Sequence, residues 1–523
     1  MTPRQVALWR GLAAVLVGAV SVLGFAPFRI AIVPIAALAA LFLLWRTAAT
    51  ARAAAGLGFA FGLGFFLTGT SWVYVSLHTF GGMPAWLTAI STFCFCAVVA
   101  LYPTLAGWLA ARLGRPQGRA GFDLLVVMPA CWTAGEIGRG YLFTGFPWLG
   151  LGYSQVPDSP LAAFAPIAGS YGVTAVAAVV AGAIALAGVR IAGRQSRALF
   201  APAIVVALAV GSGAALHRAE WTTPSGKPVT VALLQGNVPQ ERKFDVDVLP
   251  SIFAQYRTMV EKTDAQLVVL PETAFPVFLH QIRPDYLDAL TKTAVARDGD
   301  ILFGVAVADP EARAYFNAVV STGASTAQAY RKSHLVPFGE FLPLRPLFEW
   351  VLDVLQIPMA DFTAGSSAPP TIDIAGQRLA LSICYEDAFG NEMLRQLPAA
   401  TLLVNVSNDA WFGDSLAAEQ HFQLAQMRAL EAGRMMLRAN NTGVTAIVGP
   451  RGETLARLPG FVEGTLAGVA QGRTGATPYI VVGDWGIIGV VAIMLSIGFV
   501  AARRGRSSRA ETPATTDLPE EPT

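Results

Sequence analysis

The sequence predicts a polytopic α-helical membrane protein of about eight helices with an α/β domain inserted before the last helix. Of its 523 residues, 54% are hydrophobic and only 14% are charged, a balance far from that of a soluble protein. Apolar runs fill residues 1–217 and recur once near the C-terminus. Between them, residues 218–478 have ordinary polarity and alternate short strand-like runs with helical segments, so we expect a separate domain there.

The membrane helices are predicted from length, because about 20 apolar residues are needed to cross a hydrocarbon core of roughly 30 Å. The first run is followed by GFAPF and a second apolar run rather than by a cleavage site, so we interpret it as a retained helix. Residues 503–523, rich in Arg, Thr, Pro and Glu, are predicted to be a disordered tail after the closing membrane segment, 479–502. The candidate helices are 8–25, 30–46, 55–77, 86–111, 122–138, 165–189, 198–216 and 480–502.

Positive charge predicts which side of the membrane the polar domain faces, because short cytoplasmic loops collect Lys and Arg. With the N-terminus inside, the opposite loops hold only Arg29, His78 and Arg139, and the domain 218–478 lies outside the cytoplasm. The net charge of +2, without a basic stripe, argues against nucleic-acid binding. The arginine-rich connections then all become cytoplasmic: 4–10, 46–52, 112–119, 190–197 and 503–509.

The polar domain is expected to be an α/β layered sheet, because short β-rich runs alternate with helical stretches at 281–297 and 416–434. Sites in such folds form where strands end, and Glu272, Cys384 and Asn408 stand just past strand-like runs. The predicted strands are VTVALLQGN, AQLVVLPET, GDILFGVAV, RLALSICYED and ATLLVNVSND.

Four cysteines are too few for a disulfide scaffold. Cys94, Cys96 and Cys131 lie in predicted membrane helices, and we interpret them as inert small side chains. Cys384 follows the apolar run LALSI, where it is either a small core residue or a nucleophile activated by a neighbouring base or cation. An unpaired thiol in an oxidising compartment favours the second interpretation. No metal site and no cofactor is predicted.

Two charged residues are candidates for activating that thiol. Glu272, in VVLPETAFP, is either an exposed loop acid or a carboxylate held between prolines that can accept the thiol proton. Lys332, in YRKSHLVPFGEFLP, is either a surface lysine or a fixed ammonium that stabilises an oxyanion. Glu340 in the same segment can orient the lysine or act as a second acid/base group, and His334 is assigned no role.

These segments together resemble the carbon–nitrogen hydrolase (nitrilase) superfamily, which implies a Glu-Lys-Cys triad on an αββα sandwich. The helical frame, GFAPF, TGFPW at 144–148, QGNVPQ at 235–240 and SNDAWFGDS narrow the resemblance to the apolipoprotein N-acyltransferase family. The resemblance implies that Glu272 is the general base, Lys332 the oxyanion-stabilising cation and Cys384 the nucleophile.

The same resemblance implies supporting roles for Glu340, Tyr385 and Glu386. It also implies transfer of a fatty acyl chain from a phospholipid, typically phosphatidylethanolamine, through a cysteine thioester to the N-terminal α-amine of S-diacylglyceryl-cysteine in apolipoproteins, the last step of lipoprotein maturation. The expected location is the bacterial inner membrane, with the catalytic domain in the periplasm and the protein a monomer. Phe244, in RKFDVD, stands where the family has a tryptophan, a change that bears on substrate access.

Three expectations stay open at the level of sequence. A membrane-tethered amidase or nitrilase would use the same triad to hydrolyse a soluble amide, and a non-catalytic lipoprotein-binding protein would not need the triad. The aromatic segment 341–361 is either an arm that dips into the membrane interface or a core helix. Within the membrane part, Glu136 and Arg139 either pair with one another at helical spacing or face a lipid head group, and the pair is the favoured expectation.

Overall fold

The computed structural model describes residues 2–114, 120–343, 346 and 361–510. In this part of the chain, seven helices are long and apolar enough to cross a membrane, and an eighth apolar helix, Ile32–Arg46, is shorter at 15 residues. The predicted fold class is therefore confirmed. The α-helices are Pro3–Ser21, Ile32–Arg46, Ala51–Gly69, Trp72–Val75, Ala85–Val99, Leu101–Leu113, Ala120–Phe122, Met128–Tyr141, Ala165–Ala192, Phe200–Leu216, Leu249–Glu261, Pro284–Val295, Gly390–Met393, Leu416–Ala432, Pro478–Val482 and Trp485–Ala510.

The closing helix is longer than predicted. It runs from Trp485 to Ala510, so residues 503–510 of the expected tail are helical, and 511–523 lie outside the described residues. Most of the aromatic segment 341–361 also lies outside them, so its interpretation stays a prediction.

Close helix crossings in the membrane part depend on glycine. A Cβ on Gly18 would overlap the main chain of Phe61, and one on Gly64 would overlap the main chain of Val15. Small residues allow two backbones to approach in this way, which is how helices pack without a hydrophobic driving force in lipid. The first and third helices are therefore held along their length.

The polar domain contains two sheets and a short two-strand pair. The strands are β1 Thr223–Pro224, β2 Val229–Gln235, β3 Leu267–Val269, β4 Phe275–Phe278, β5 Asp300–Asp309, β6 Ala314–Gly323, β7 Ala329–Arg331, β8 Ile372–Ile374, β9 Gln377–Ile383, β10 Leu402–Ser407, β11 Met436–Asn440, β12 Ala446–Val448, β13 Thr454–Arg457, β14 Gly464–Ala470 and β15 Arg473–Thr474. One sheet has the order β14-β2-β3-β5-β6-β7 with β4 beside β5, the other has the order β13-β12-β11-β10-β9-β8, and β1 pairs with β15.

The two sheets face each other across a shared apolar core, to which β2, β3, β9 and β10 all contribute buried side chains. Helices Leu249–Glu261 and Pro284–Val295 cover the outer face of one sheet, and Leu416–Ala432 covers the other. This is an αββα sandwich, as the resemblance implied. In both sheets the central strands are parallel, so β3 and β9 deliver their carboxyl ends to one edge of the sandwich.

The helix Leu416–Ala432 joins the sandwich to the membrane helices. Its glutamines at three-residue spacing face the membrane part: Gln420 Oε1 accepts from Trp148 Nε1 at 2.7 Å, and Gln423 Nε2 donates to the main-chain oxygen of Val156 at 3.0 Å. Apart from Leu416 and Glu419, which are half-buried, the helix is buried throughout. Paired buried amides of this kind fix one orientation between the two parts.

The expected pair between Glu136 and Arg139 was wrong. The Glu136 carboxylate accepts from the Leu151 main-chain nitrogen at 2.9 Å and from Thr174 Oγ1 at 2.8 Å. Arg139 Nη1 instead donates to the main-chain oxygen of Phe146 at 2.6 Å. Main-chain groups that follow the helix Met128–Tyr141 bond to Glu136 and to Arg139, so neither side chain needs the other as its partner. The two residues therefore hold the TGFPW loop in place.

Candidate active site

The three predicted catalytic residues converge at the shared edge of the sandwich. Glu272 follows β3, Lys332 follows β7 and Cys384 follows β9. Lys332 Nζ lies 3.6 Å from Glu272 Oε1, and both charges act on the Cys384 thiol. Thr273, next to Glu272, and Cys384 itself have left-handed backbone conformations with φ of 49° and 53°. Such strain, about 1–3 kcal/mol for each residue, is typical of sites that aim a side chain.

The Lys332 ammonium is buried with carboxylates on two sides. Its Nζ donates to Glu340 Oε1 at 2.8 Å, and Asn317 Nδ2 donates to both Glu272 Oε1 at 2.7 Å and Glu340 Oε1 at 3.0 Å. Burial lowers the pKa of Lys332, but Glu340 and Glu272 outweigh it and raise the pKa above its ordinary value. Lys332 is therefore a permanent cation, and Asn317 spaces the two carboxylates around it.

The Cys384 thiol is protonated at rest. Burial and the charge of Glu272 raise its pKa well above the ordinary value, while Lys332 opposes them. An attack by sulfur therefore needs a base to take the proton in the same step, rather than a thiolate formed beforehand. Glu272 is the carboxylate with the largest effect on the thiol.

Two side chains hold the strained turn at Cys384. Its main-chain oxygen accepts from Asn405 Nδ2 at 3.3 Å and faces His421 Nε2 at 3.2 Å. His421 lies on the helix Leu416–Ala432 and is fully buried. The conformation of Cys384 is thus set by β10 and by the helix that contacts the membrane part.

A buried ion network lies beneath this turn. His421 lies between Asp409 Oδ1, at 2.7 Å from Nδ1, and Asp387 Oδ1, at 2.9 Å from Nε2. Arg438 Nη1 donates to Asp387 Oδ2 at 2.7 Å. Burial and Arg438 lower the pKa of His421, but the two aspartates outweigh them and raise it to about 9, so the ring is an imidazolium at neutral pH. Two anions and two cations balance there.

This network also answers whether a metal fits. Cys384 Sγ, an Asp409 oxygen and a His421 nitrogen lie within 4.8 Å of one another. Both ring nitrogens of His421 are already engaged by carboxylates, and Asp409 also accepts from Asn440 Nδ2 at 2.6 Å. A metal ligand must be a neutral imidazole with a free lone pair, so the donor set does not suit an ion.

Glu386 anchors the main chain around Lys332 and Cys384. Its carboxylate accepts from the main-chain nitrogens of Ile383, Ser333 and His334 at 2.7, 2.7 and 3.0 Å. It also accepts from Tyr330 OH at 2.8 Å and from the Ser333 hydroxyl at 2.9 Å. These donors belong to the segment carrying the predicted lysine and to the strand carrying the predicted cysteine, so one buried carboxylate ties the two together.

Tyr385 contacts the membrane part directly. Its hydroxyl donates to the main-chain oxygen of Gly145 at 3.0 Å, and its ring stacks on Trp148 with centroids 6.4 Å apart. Both partners belong to the TGFPW loop. Nearby, Ser76 Oγ donates to the main-chain oxygen of Trp411 at 2.9 Å. The residue after the predicted nucleophile therefore forms part of the contact between the two domains.

The structure also shows the surroundings of Phe244 and His334, two residues discussed from the sequence. Phe244 is half-buried in the turn after QGNVPQ. His334 stacks on Phe389 with centroids 3.8 Å apart, and its Nδ1 lies 3.0 Å from Glu392 Oε1.

Sequence reasoning missed three residues of the site: Asn317, His421 and Arg438. Each is buried and polar, and each lies inside a strand or helix rather than in a motif. The acids Asp387 and Asp409, in CYED and SND, were a usable signal, because buried carboxylates require a cation.

Family models match both the membrane part and the sandwich. Residues 17–183 match the apolipoprotein N-acyltransferase N-terminal domain family, and residues 230–479 match the carbon–nitrogen hydrolase family. The apolipoprotein N-acyltransferase of Nitrosomonas europaea is 45% identical over 95% of this chain and 98% of its own length. That of Methylococcus capsulatus is 45% identical over 92% of this chain and 94% of its own. A solved carbon–nitrogen hydrolase from Helicobacter pylori G27 covers 46% of this chain and 89% of its own, with 19% identity and a TM-score of 0.34.

Proposed function

The chain belongs to the apolipoprotein N-acyltransferase family and acts as an acyltransferase in the N-acylation of lipoproteins, and on that premise we propose its donor, acceptor and catalytic residues. The donor is a phospholipid, typically phosphatidylethanolamine. The acceptor is the N-terminal α-amine of S-diacylglyceryl-cysteine in an apolipoprotein. The acyl chain passes through a thioester on Cys384, with Glu272 as general base and Lys332 as the oxyanion-stabilising cation.

In the first half-reaction, Cys384 Sγ attacks the carbonyl carbon of the phospholipid ester while Glu272 takes the thiol proton. The negative charge that develops on the carbonyl oxygen is stabilised by the Lys332 ammonium. The tetrahedral intermediate collapses by breaking its bond to the glycerol oxygen, which takes the proton back from Glu272. A lysophospholipid leaves and the thioester remains.

In the second half-reaction, the neutral α-amine attacks the thioester carbon and Glu272 accepts a proton from the nitrogen. Lys332 again faces the developing oxyanion. Collapse breaks the carbon–sulfur bond, and the proton held by Glu272 returns to Cys384. An amide forms and the triacylated lipoprotein leaves.

The contact between Tyr385 and Gly145 is the observation that best supports lipid substrates. It joins the residue after the nucleophile to a loop of the membrane part, so the site lies against the membrane helices rather than at the distant end of the sandwich. Both proposed substrates are anchored in lipid. A hydrolase-like domain acting on them needs its cleft close to the bilayer, and this attachment meets that need.

We also propose that the enzyme is a monomer of the bacterial inner membrane with its sandwich in the periplasm. The support is the distribution of arginines among the loops, which places the domain opposite the arginine-rich side.

A membrane-tethered amidase is the less favoured alternative. It would use the same triad, but the relatives that match the membrane part and the sandwich together carry the acyltransferase name. An amidase would release its acyl group to water at a rate that does not depend on a lipopeptide amine.

The test is intact-mass analysis of purified wild-type protein and Cys384→Ala after incubation with phosphatidylethanolamine, followed by a diacylated lipopeptide with a free N-terminus. The wild type is expected to gain one acyl mass that disappears when the lipopeptide is added. Cys384→Ala is expected to gain none, and Cys94→Ala, which changes an exposed membrane-helix cysteine, serves as the matched control. An adduct that decays equally fast without the lipopeptide would support the amidase instead.

A further inference from the structure

The chain has five lysines, and two of them are buried: Lys332 and Lys243 are each 1% exposed. Lys332 is the proposed oxyanion cation. Lys243 lies in the turn after QGNVPQ, far from Lys332 in sequence, yet the two converge on Glu272. Lys332 approaches the Glu272 carboxylate, whereas Lys243 bonds to the main chain of the same residue, so the burial of this second ammonium requires an explanation.

Lys243 is bound to the main chain of the catalytic strand end. Its Nζ donates to the main-chain oxygen of Glu272 at 3.3 Å, and the charge of Glu272 acts on it. Within the described residues the Lys243 ammonium forms no other hydrogen bond and no close ion pair. An ammonium has three donors, so burial with one long partner is costly to the fold. A residue kept at such a cost is a candidate for function.

The loop that carries Lys243 spans both sheets. The main-chain nitrogen of Val238 donates to Asn441 Oδ1 at 3.0 Å, and Asn408 Nδ2 donates to Gln240 Oε1 at 2.8 Å. Asn408 and Asn441 follow the ends of β10 and β11 in one sheet, whereas Glu272 follows β3 in the other. Lys243 is thus the point at which this loop is attached to the main chain of Glu272.

Charge counting gives the second cation a role. Glu272 and Glu340 carry two negative charges against the single positive charge of Lys332. During the proposed attack the thiol proton moves to Glu272 and a negative charge appears on the oxyanion, so the net charge of this group stays at one negative throughout. A second ammonium makes the site neutral at every step, which in a buried site lowers the energy of the oxyanion.

We propose that Lys243 is the second cation of the catalytic centre. It is a positioning residue that fixes the main chain of Glu272 and offsets the one negative charge of Glu272 and Glu340 that Lys332 does not balance. This inference rests on the catalytic roles proposed above. It adds to the triad a lysine from the loop that precedes the first helix of the sandwich.

The protonation of Lys243 makes this role dependent on pH. Burial lowers the pKa of Lys243 to about 8, while Glu272 opposes the shift. Glu272 is the charged group that acts on it, and Glu272 in turn lies close to Lys332 and is bridged to Glu340 by Asn317. Lys243 is therefore a cation at neutral pH and loses its charge as the pH rises through about 8.

The test compares Lys243→Met with wild type in the full-length enzyme. The rate of acyl-adduct formation from phosphatidylethanolamine is measured by intact mass across this pKa, with melting temperatures in the same detergent. Lys243→Met is expected to lose about tenfold or more in rate at pH 7, as for removal of one close charge, and to lose less above pH 8, where wild-type Lys243 is itself neutral. It is expected to melt no lower than wild type, because a costly buried charge is gone.

Lys243→Arg, which keeps the charge, is expected to recover most of the rate, and Lys262→Met, at an exposed lysine, is the matched control. A wild-type rate for Lys243→Met would overturn the inference. So would a loss that is the same at every pH and comes with a lower melting temperature, because that pattern indicates a structural role alone. If wild type itself forms no adduct, the proposed function fails and the inference fails with it.

Discussion

Replacing Glu386 tests whether this buried acid titrates in the chemistry or only holds the site together. The carboxylate is 3% exposed and accepts three main-chain N–H groups, from Ile383, Ser333 and His334. In Glu386→Ala these buried donors lose their acceptor, at about 1–2 kcal/mol each, or about 3–6 kcal/mol of unfolding free energy in total. For a domain of this size the melting temperature should fall on the order of 10 °C.

Glu386→Gln separates shape from charge. The amide oxygen still accepts from Ser333 and His334, and the Tyr330 hydroxyl can rotate to accept from the new NH₂ group. Only the Ile383 N–H is left facing a donor, so the cost falls to about 1–3 kcal/mol. Because the carboxylate bonds to main-chain groups and hydroxyls, we expect Glu386→Gln to form the acyl adduct at a rate close to that of wild type.

The assay is thermal denaturation of the purified full-length protein in detergent, with adduct formation followed by intact mass well below the melting range. Glu311→Ala, at an exposed acid, controls for loss of a negative charge. Our reasoning would be refuted by a Glu386→Gln protein that melts like wild type and forms no adduct. That result would mean that Glu386 exchanges a proton during the reaction.

Three further changes follow from the same contacts. Asn317→Leu removes the donor shared by Glu272 and Glu340, bonds to charged groups that contribute about 1.5–3 kcal/mol, so it should lower the melting temperature by several degrees. Because those bonds also position Glu272, it should slow adduct formation well below the melting range by about 10–100-fold. Folding raises the pKa of His421 from 6.5 to about 9, so the protonated ring stabilises the fold by about 3 kcal/mol. This stabilisation is complete below about pH 6.5 and is lost as the pH rises through 9. His421→Gln should therefore flatten the fall in melting temperature across that range. Gln423→Ala removes the bonds to the Ala26 nitrogen and the Val156 oxygen and should lower the melting temperature by several degrees, with adduct formation below melting unchanged.

The membrane helices could be predicted from sequence because each crossing is encoded in its own stretch of apolar residues, and length alone identifies it. The order of the strands could not. β14, near the end of the sandwich, pairs with β2 at its start, Gly464 opposite Gln235, and nothing local to either strand specifies that partner. The end of the last helix was also missed, because arginines after residue 502 are compatible with both a tail and a helix that leaves the membrane.

The residues of the site also fall into those that could be predicted from the sequence and those that could not. Residues at strand ends within motifs, such as Glu272 and Cys384, could be proposed because an apolar run that stops at a polar side chain is visible locally. Arg438 could not, since it lies in the middle of a buried strand and its partner Asp387 is 51 residues away. The choice of a buried partner depends on tertiary proximity, so a sequence reveals that a buried acid needs a cation but not which one supplies it.

The attachment of the sandwich to the membrane part bears on why the proposed reaction is transfer rather than hydrolysis. A thioester that waits for an amine must be kept from water, and a closed apolar wall beside the reacting carbon does this. Trp148, from the membrane part, stacks on Tyr385 and contacts the His421 ring at 5.3 Å between centroids. The same tryptophan is bonded to Gln420, on the helix that supports the turn at Cys384. Trp148 therefore links the residue after Cys384 to the helix that supports the turn at Cys384, so we expect a sandwich detached from its membrane helices to lose the conformation of that turn as well as its access to lipid.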